Sequence, residues 1–337
     1  GLDNISMFDR SRPLPGGGRL DQSDGTAWMA AFTLDMLAIA IELSRDDDVY
    51  QDVATKFFEH FLGIATAMSA EDHALWDEDD GFYYDVLRFP DGRAVPLPVR
   101  SLVGLIPLLA VTAIEQGTMD DMPGFSRRMR WFVSRKPHLS GNIASIDDEG
   151  AGQRHLAAIL TPEHLRSVLR YLLDEDEFLS PHGIRSLSRH HRDHPVEVEV
   201  EGESFRIGYE PAESQSGLFG GNSNWRGPVW FPLNYLIVEA LERFHAYFGE
   251  GFTVECPTGS GIELDLAGVA AEIRRRLISL FEAADGRRPY EGEIPAGDPV
   301  LFHEYFDGDD GTGLGASHQT GWTGLVADLI GWRLPGA

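Results

Sequence analysis

The chain has 337 residues, of which 54 are acidic and 28 are basic, and its formal net charge is -26. A surface this acidic repels nucleic acid and anionic membranes, because contacts to phosphate need clustered cations. Hydrophobic residues make up 42% of the chain, enough for a large core, and the single cysteine, Cys256, excludes an intrachain disulfide. We therefore expect a globular protein that binds a neutral small molecule and needs no cofactor.

Lysine is almost absent, with Lys56 and Lys136 as its two occurrences. Acidic, lysine-poor surfaces suit high salt, where screening weakens self-repulsion. A GC-rich genome that favours arginine codons explains the same composition, and both interpretations stay open. The most apolar run, residues 102–114, contains Pro107 and is too short to span a membrane. Since no signal peptide is recognisable, a cytoplasmic location is expected.

Helical periodicity of apolar residues dominates the chain after a loop rich in Gly and Pro over residues 1–25. This periodicity predicts eight helices, over residues 26–43, 49–68, 98–115, 124–134, 161–175, 228–248, 264–281 and 317–332. Residues 76–85 are predicted to form a loop or a hairpin between the second and third helices. Apolar and polar residues alternate over residues 195–208 around Glu201-Gly202, which predicts a short β-hairpin.

The fold class predicted from these elements is all-α. No linker rich in Gly and Ser divides the chain, so residues 1–337 are expected to form one domain. Helices joined in pairs by long Gly-rich loops favour a toroid of helical hairpins, with the small β-hairpin as an insertion. In such a toroid the loops at one rim would build the functional site.

The first candidate motif is QSDGTAWM at residues 22–29, which places Asp24 at the start of a predicted helix. Asp is a favoured N-cap residue, so helix capping alone explains its presence. A carboxyl group among apolar and aromatic neighbours also suits a general acid. Trp28 is a candidate substrate contact in this motif. Residue chemistry leaves both interpretations open.

The second candidate motif, WDEDDGFYYD at residues 76–85, alternates acids and aromatics. Aromatic faces stack on sugar rings and carboxylates accept hydrogen bonds from hydroxyls, so Tyr83 and Tyr84 are candidate substrate contacts. A calcium loop is excluded by spacing, because Gly81 stands where a third ligand is needed. A solvated acidic loop is the alternative interpretation.

The third candidate motif, GGNSNWRGPVW at residues 220–230, combines amide, indole and guanidinium groups in a glycine-bounded loop. Amides donate and accept hydrogen bonds, as sugar hydroxyls require, and indoles provide stacking surfaces. The candidate substrate contacts are Asn222, Asn224, Trp225, Arg226 and Trp230. The alternative is a helix N-terminus with Trp230 in the core. A phosphate loop is excluded because no Gly-Lys-Ser/Thr follows.

The fourth candidate motif comprises HEYFDGD at residues 303–309 and GLGASHQTGW at residues 313–322. Glu304 has aromatic neighbours and is a candidate general base; a buried ion pair is the alternative. His303 and Glu304 do not form a zinc signature, because Asp307 stands where the second His is needed. The remaining candidate substrate contacts of this segment are His318, Gln319 and Trp322.

A cluster of three histidines, His190, His191 and His194, has no spacing that matches a pair of metal ligands on a helix. A polar loop, or a substrate contact on a loop, is the favoured interpretation. The sequence therefore predicts no metal site.

Five segments in this order resemble the catalytic domain of family 63 of the glycoside hydrolases, which includes processing α-glucosidases and mannosylglycerate hydrolases. The segments are QSDGTAWM, WDEDDGFYYD, GGNSNWRGPVWFP, HEYF and GLGASHQTGW. The resemblance extends over nearly the whole chain. It implies an (α/α)6 toroid and an inverting, exo-acting hydrolase of α-glucosides or α-mannosides, with mannosylglycerate among the candidate substrates. It places the general acid at Asp24 and the general base at Glu304.

The resemblance also implies that the chain is incomplete at its N-terminus, because six helical hairpins need more helices than the eight predicted. The opening helices would then precede Gly1. Incompleteness motivates a second hypothesis, a catalytically silent carbohydrate-binding or scaffold fragment. A third is another toroidal enzyme, such as a trehalase, a glucoamylase or a sugar epimerase.

Overall fold

Ten α-helices run through the residues that the computed structural model describes, which are 2, 5, 7–8, 13–69, 75–135, 149–215, 224–284, 286–291 and 299–331. In chain order they are α1 (Ser23–Leu43), α2 (Tyr50–Ser69), α3 (Leu102–Leu105), α4 (Gln116–Asp121), α5 (Pro123–Arg135), α6 (Pro162–Leu172), α7 (Phe231–Phe248), α8 (Leu266–Ser279), α9 (Thr320–Thr323) and α10 (Val326–Gly331). The two most extensive helix pairs are α1 with α2 and α7 with α8.

Fifteen short strands lie before and between these helices in the described residues. They are β1 (Arg19–Asp21), β2 (Trp76–Asp77), β3 (Phe82–Tyr83), β4 (Asp85–Arg88), β5 (Ala94–Leu97), β6 (Val111–Glu115), β7 (Arg154–Ala158), β8 (Leu179–Ser180), β9 (Gly183–Ile184), β10 (Val196–Val200), β11 (Glu203–Ile207), β12 (Thr253–Glu255), β13 (Glu263–Asp265), β14 (Tyr305–Phe306) and β15 (Gly313–Leu314). Within the described residues they form one three-stranded sheet, β1-β4-β5, and six two-stranded sheets, all antiparallel.

The predicted all-α fold class is therefore wrong. Helices account for 46% of the structure and strands for 20%, spread over several small sheets rather than confined to one hairpin insertion. The predicted β-hairpin is present as β10 and β11, and the segment at residues 76–85 forms the hairpin of β2 and β3. The other sheets were not predicted, because each pairs short segments whose partners a local sequence window does not identify.

The predicted helix over residues 98–115 shows most clearly why a segment with helical periodicity can contain a strand. Its N-terminal part forms only α3 and a 3-10 turn that contains Pro107, which cannot donate a backbone hydrogen bond. Its C-terminal part is β6, where Val111, Thr112 and Ile114 are β-branched and favour extended backbone. The β6 strand pairs with β7, so apolar residues that suit a helix face are buried in a sheet instead.

Several other predicted helices are present, with shifted ends. The predictions over residues 49–68, 124–134, 161–175, 228–248 and 264–281 correspond to α2, α5, α6, α7 and α8. The α6 helix begins as expected, since the Thr161 side chain accepts a hydrogen bond from the backbone N–H of His164 and Pro162 follows it. The helix predicted over residues 317–332 is divided instead into α9 and α10.

The α1 helix is part core and part surface. It is long and apolar enough to cross a bilayer by length and composition alone, a test that core helices of soluble proteins also pass, and 39% of its most apolar window is buried. Ala27, Leu34 and Leu37 are buried in the main core. The opposite face leaves large apolar side chains exposed, namely Met29, Phe32, Ile39 and Leu43.

A second, smaller apolar cluster lies beneath the β10–β11 hairpin. Val200 and Ile207 on its inner face pack with Met7 and Phe8 from the N-terminal segment and with Leu87 of β4. Ile5 is fully buried in the main core. Burial of Ile5, Met7 and Phe8 removes their apolar surface from water and stabilises the contact between this segment and the two cores.

The Arg185 guanidinium joins segments that are distant in the sequence, and its side chain is only 3% exposed. Its nitrogens donate, at 2.9–3.2 Å, to the Tyr209 hydroxyl and to the backbone oxygens of Glu175, Leu179 and Gly308. The Asp309 carboxylate lies 3.5 Å away and balances the charge. A buried cation is tolerated only where such partners replace water, so this set of hydrogen bonds fixes β9 against the segment after β14.

The His191 imidazole makes a comparable connection in its neutral form. Its Nε2 accepts the backbone N–H of Arg100 at 2.9 Å, and its Nδ1 lies 2.9 Å from the His194 carbonyl oxygen. Both bonds are satisfied by a neutral ring with the proton on Nδ1. Burial lowers the pKa of His191 to about 4. His191 therefore supports the surrounding backbone, and its side chain is only 3% exposed.

We predict that Arg185→Met lowers the free energy of unfolding by about 3–5 kcal/mol, because it leaves the buried backbone oxygens of Glu175, Leu179 and Gly308 without their donor. Asp309 keeps its ion pair with Arg192. The matched control is Arg206→Met in the β10–β11 hairpin, where the arginine is 65% exposed beside Glu197. That variant should change stability by less than about 1 kcal/mol. Urea unfolding followed by circular dichroism measures both, and equal losses would contradict the role of Arg185.

We also predict that His191 makes stability depend on pH. Its pKa in the folded state, about 4, lies below the ordinary value of 6.5, so its contribution is complete above pH 6.5 and is lost as the pH falls toward 4. The loss amounts to roughly 3 kcal/mol. His191→Gln lacks this titration, so its stability should fall less than that of the native chain between pH 7 and pH 4. Urea unfolding at pH 7 and at pH 4 measures both proteins, and an equal loss of stability in the variant and in the native chain would overturn the assignment.

Candidate active site

Three aromatic rings pack around Trp230, whose side chain is 1% exposed, and form a four-ring cluster with it. The Trp225 ring lies parallel to the Trp230 ring, with 3.9 Å between centroids and an interplanar angle of 2°. On the other side, the Tyr305 ring stacks at 4.7 Å, and the Trp322 ring is tilted against Trp230 at 5.6 Å. The structure therefore brings together the third and fourth candidate motifs. Trp322, 38% exposed, presents part of this cluster to solvent.

Backbone hydrogen bonds hold these two motifs side by side. The Val229 N–H donates to the Phe306 oxygen at 2.8 Å, and the Phe306 N–H donates back at 3.0 Å. The Ser186 N–H donates to the Pro228 oxygen at 2.9 Å, and the Leu102 N–H donates to the Ser186 oxygen at 2.9 Å. These bonds continue the same backbone ladder toward α3, so the loops that carry the candidate residues are fixed from α3 to β14.

Asn224 organises the loop before Trp230. Its amide nitrogen donates to the backbone oxygens of Glu210 at 2.8 Å and Ala212 at 2.5 Å, and its Oδ1 accepts the Arg226 N–H at 2.9 Å. Its own backbone oxygen accepts the Trp230 indole N–H at 2.9 Å. Since the Asn224 side chain is 2% exposed and these groups are engaged, the geometry gives it a structural role at the rim of the site.

Glu304 lies at the start of the β14–β15 hairpin, directly before Tyr305, and its side chain is half-buried. Its Oε2 accepts the backbone N–H of Ala316 at 3.3 Å. Gly315, in a left-handed conformation with φ of 67°, leaves the space in which this carboxylate lies. A Cβ at Gly315 would lie 2.7 Å from Oε2 of Glu304 and 2.9 Å from the Tyr305 ring. The hairpin thus sets the position of the carboxylate.

A second carboxylate near this position, Glu213, was not predicted from the sequence. Burial raises the pKa of Tyr305, and the negative charges of Glu213 and then of Glu304 raise it further. Glu213 is exposed and belongs to the loop that Asn224 holds through Ala212. No local motif marks it, because a carboxylate in an irregular loop has no periodic signature.

Asp24 is fully buried in the first turn of α1. Its Oδ1 accepts the Gly25 N–H at 2.7 Å and its Oδ2 accepts the Leu2 N–H at 2.6 Å. A carboxylate at a helix N-terminus is favoured by the helix dipole. The N-cap position itself is Gln22, which makes no side-chain cap, while the Ser23 N–H donates to Oδ1 of Asp85 at 2.8 Å. Asp85 thus links the first candidate motif to the second.

The aromatic residues of the second motif are engaged in packing. Trp76 stacks on His164 at 3.9 Å and contacts the Tyr83 ring at 4.8 Å. The Tyr84 hydroxyl donates to Oδ2 of Asp80 at 2.7 Å. Burial raises the pKa of Tyr83 and of Tyr84, and the hydrogen bond to Asp80 adds to the effect at Tyr84. Both tyrosines are at most 3% exposed, so the structure places them behind the surface of the candidate site.

The remaining candidate residues differ in accessibility. Arg226 is buried, with a guanidinium nitrogen 3.5 Å from Oε1 of Glu210. His318 is exposed, and Gln319 is half-buried with its N–H donating to the Phe302 oxygen at 2.8 Å. Trp28 is partly buried and packs on the main core. Asn222 lies outside the described residues. Among those residues no group of three or more His, Cys, Asp or Glu side chains forms a metal site.

Residues 154–323, half of the chain, match the family model described as "Mannosylglycerate hydrolase MGH1-like glycoside hydrolase domain". An uncharacterized protein of Saccharomyces cerevisiae is 50% identical over 98% of this chain and 32% of its own length. A mannosyl-oligosaccharide glucosidase of the same yeast is 24% identical over 91% of this chain and 26% of its own length. A probable mannosyl-oligosaccharide glucosidase of Schizosaccharomyces pombe is 27% identical over 49% of this chain and 15% of its own length.

The chain thus spans about a third or less of the length of the curated relatives it matches. Among solved structures, a sialidase chain covers 94% of this chain and 19% of its own length, with 13% identity and a TM-score of 0.43. A likeness of that size establishes no shared fold.

We predict that Gly315→Ala displaces the Glu304 carboxylate and lowers the free energy of unfolding by about 1–3 kcal/mol, because alanine is strained in the left-handed region and clashes there. The matched control is Gly321→Ala, where an added Cβ meets nothing within 4 Å and no positive φ is required. That variant should be neutral to within about 1 kcal/mol. Thermal unfolding compares the two, and equal midpoints would show that the space at Gly315 is not needed.

Proposed function

Because this chain belongs to the family of mannosylglycerate hydrolase MGH1-like glycoside hydrolase domains, we propose that it hydrolyses an α-glycosidic bond with inversion at the anomeric carbon. The observation that carries the proposal is the position of Glu304, half-buried and directly before Tyr305 of the aromatic cluster. Relatives named mannosyl-oligosaccharide glucosidase support a saccharide that contains glucose or mannose as the substrate. An α-glucoside or an α-mannoside, with mannosylglycerate among the candidates, fits that class.

In the proposed reaction Glu304 is the general base and Asp24 the general acid. Glu304 takes a proton from water as the water oxygen bonds to the anomeric carbon. Asp24 gives a proton to the glycosidic oxygen as the bond between that oxygen and the anomeric carbon breaks. Inversion requires the two carboxyl groups to be about 6.5–9.5 Å apart, since a water molecule must fit beside the sugar. The partly exposed rings of Trp225 and Trp322 offer faces on which a sugar ring can stack.

Asp24 imposes a condition on this reaction. Its Oδ2 is bonded to the Leu2 N–H, and its side chain is fully buried. A substrate can receive the proton only if its glycosidic oxygen takes the place of that N–H. Productive binding therefore requires the bond between the Leu2 N–H and Oδ2 of Asp24 to break.

We predict that Asp24→Asn and Glu304→Gln each lower kcat by about 10² to 10⁴-fold, because each removes a proton-transfer group. The matched control is Asp176→Asn, whose carboxylate is 93% exposed and should leave kcat unchanged. Released glucose or mannose is measured on a panel of α-glucosides, α-mannosides and mannosylglycerate, and near-ultraviolet circular dichroism checks the fold. Native rates in either site variant would refute its assignment.

The stereochemistry is tested separately with the native chain. Proton NMR of the first-formed sugar should show the β-anomer, since inversion at an α-linked carbon produces it. An α-anomer as the first product would refute the inverting mechanism while leaving hydrolysis itself intact.

A second candidate function is saccharide binding without turnover. The burial of Asp24 beneath Leu2 favours it, because a covered acid cannot protonate a leaving group. Calorimetry with the same saccharides distinguishes the two functions. Binding that Trp225→Ala weakens, without any sugar released by the native chain, would support the second candidate. Release of sugar that depends on Asp24 would exclude it.

A further inference from the structure

The α5 helix is strongly basic, although the chain as a whole is acidic. Residues 122–146 contain no Asp or Glu, although 54 acids occur in the chain as a whole, and five of its 28 basic residues lie between residues 127 and 136. Four of these are arginines of α5 (Pro123–Arg135), and the helix itself has no acidic residue. A local positive field therefore stands on an otherwise negative surface.

Packing of α5 determines which of its faces is exposed. Phe125 and Met129 are buried, and the Phe125 ring meets Phe58 of α2 edge-to-face at 6.0 Å. The opposite face carries the exposed side chains at helical spacing, which are Arg127, Arg128, Arg130, Trp131 and Arg135. Trp131 is 52% exposed and stands in the middle of the arginines on this face.

Of the four arginines, only Arg128 has an ion pair within the described part of the chain. Arg128 contacts the Asp52 carboxylate of α2. Among the described residues, Arg127, Arg130 and Arg135 form no ion pair, although the Asp120 carboxylate lines the same surface depression as Arg127 and Arg130. An exposed indole surrounded by unneutralised guanidinium groups is the composition typical of energetically dominant residues in protein interfaces.

We propose that this face, formed by Arg127, Arg130, Trp131 and Arg135, is a docking surface for an acidic polypeptide segment in which an apolar side chain stands between carboxylates. The guanidinium groups pair with the carboxylates and the indole covers the apolar side chain. Insertion into a lipid bilayer fits less well, because a membrane-bound helix buries its apolar face in lipid and α5 has already buried that face against α2. The surface is independent of the proposed glycosidase reaction.

The test uses the native chain and a fluorescein-labelled peptide of repeated Glu-Glu-Leu units, with binding followed by fluorescence anisotropy. We expect saturable binding that weakens as salt is raised, since exposed charges are screened at a Debye length of about 8 Å at 0.15 M. The double variant Arg130→Glu with Trp131→Ala should lose at least about tenfold in affinity. Arg206→Glu, in the β10–β11 hairpin, makes the same charge change at a 65% exposed position and should stay within about twofold.

Three outcomes would overturn the proposal. The first is no saturable binding of the peptide by the native chain, and the second is equal loss in the double variant and in Arg206→Glu. The third is that the native chain binds vesicles of phosphatidylserine and phosphatidylcholine, or a single-stranded oligonucleotide, as tightly as the peptide or more tightly. A peptide in which Gly replaces each Leu separates charge from the indole contact, and equal affinity for it would remove Trp131 from the surface.

Discussion

The buried guanidinium of Arg185 is the interaction on which the arrangement of the site depends. Its hydrogen bonds join the backbone near β8 and β9 to Tyr209 and to Gly308, just after the strand that follows Glu304. Because a desolvated cation must find all its partners at once, these segments have one mutual arrangement. The neighbouring backbone hydrogen bonds, from Leu102 to Ser186 and from Ser186 to Pro228, extend that arrangement to α3. The precision of the loops comes from a polar interaction, not from the apolar core alone.

Several predicted substrate contacts have a structural role, because buried polar groups elsewhere in the site also need hydrogen-bond partners. The Asn224 amide donates a hydrogen bond to the backbone of the loop that positions Trp230, and the Tyr84 hydroxyl donates one to Asp80. Such residues have the chemistry that suits a sugar, yet that same chemistry satisfies backbone groups that water cannot reach. Side chains with surface left for a ligand are fewer and lie at the edge of the cluster, at Trp225, Trp322, His318 and Glu304.

How much could be predicted from sequence depends on the distance between interacting residues. Helices such as α2 and α7 were predicted correctly because apolar periodicity is a local signal. The third and fourth motifs were both singled out from their residue chemistry, and the Val229–Phe306 backbone bonds place them side by side. The β6–β7 pair, the partners of Arg185 and the Asp85 bond to Ser23 escaped prediction, since each joins residues that no window of sequence contains together.

The Asp85 bond to Ser23 has a consequence for the order of assembly. The start of α1 is satisfied by a carboxylate 62 residues later in the chain, so it has no such partner while only its own segment has been synthesised. Its first turn, which contains Asp24, therefore gains this partner only when β4 is paired beside β1. The segment after Glu304 depends on a different long-range contact, the hydrogen bond from Arg185 to the Gly308 oxygen. The two carboxylates thus rely on separate long-range contacts, and a change that disrupts one of them need not disrupt the other.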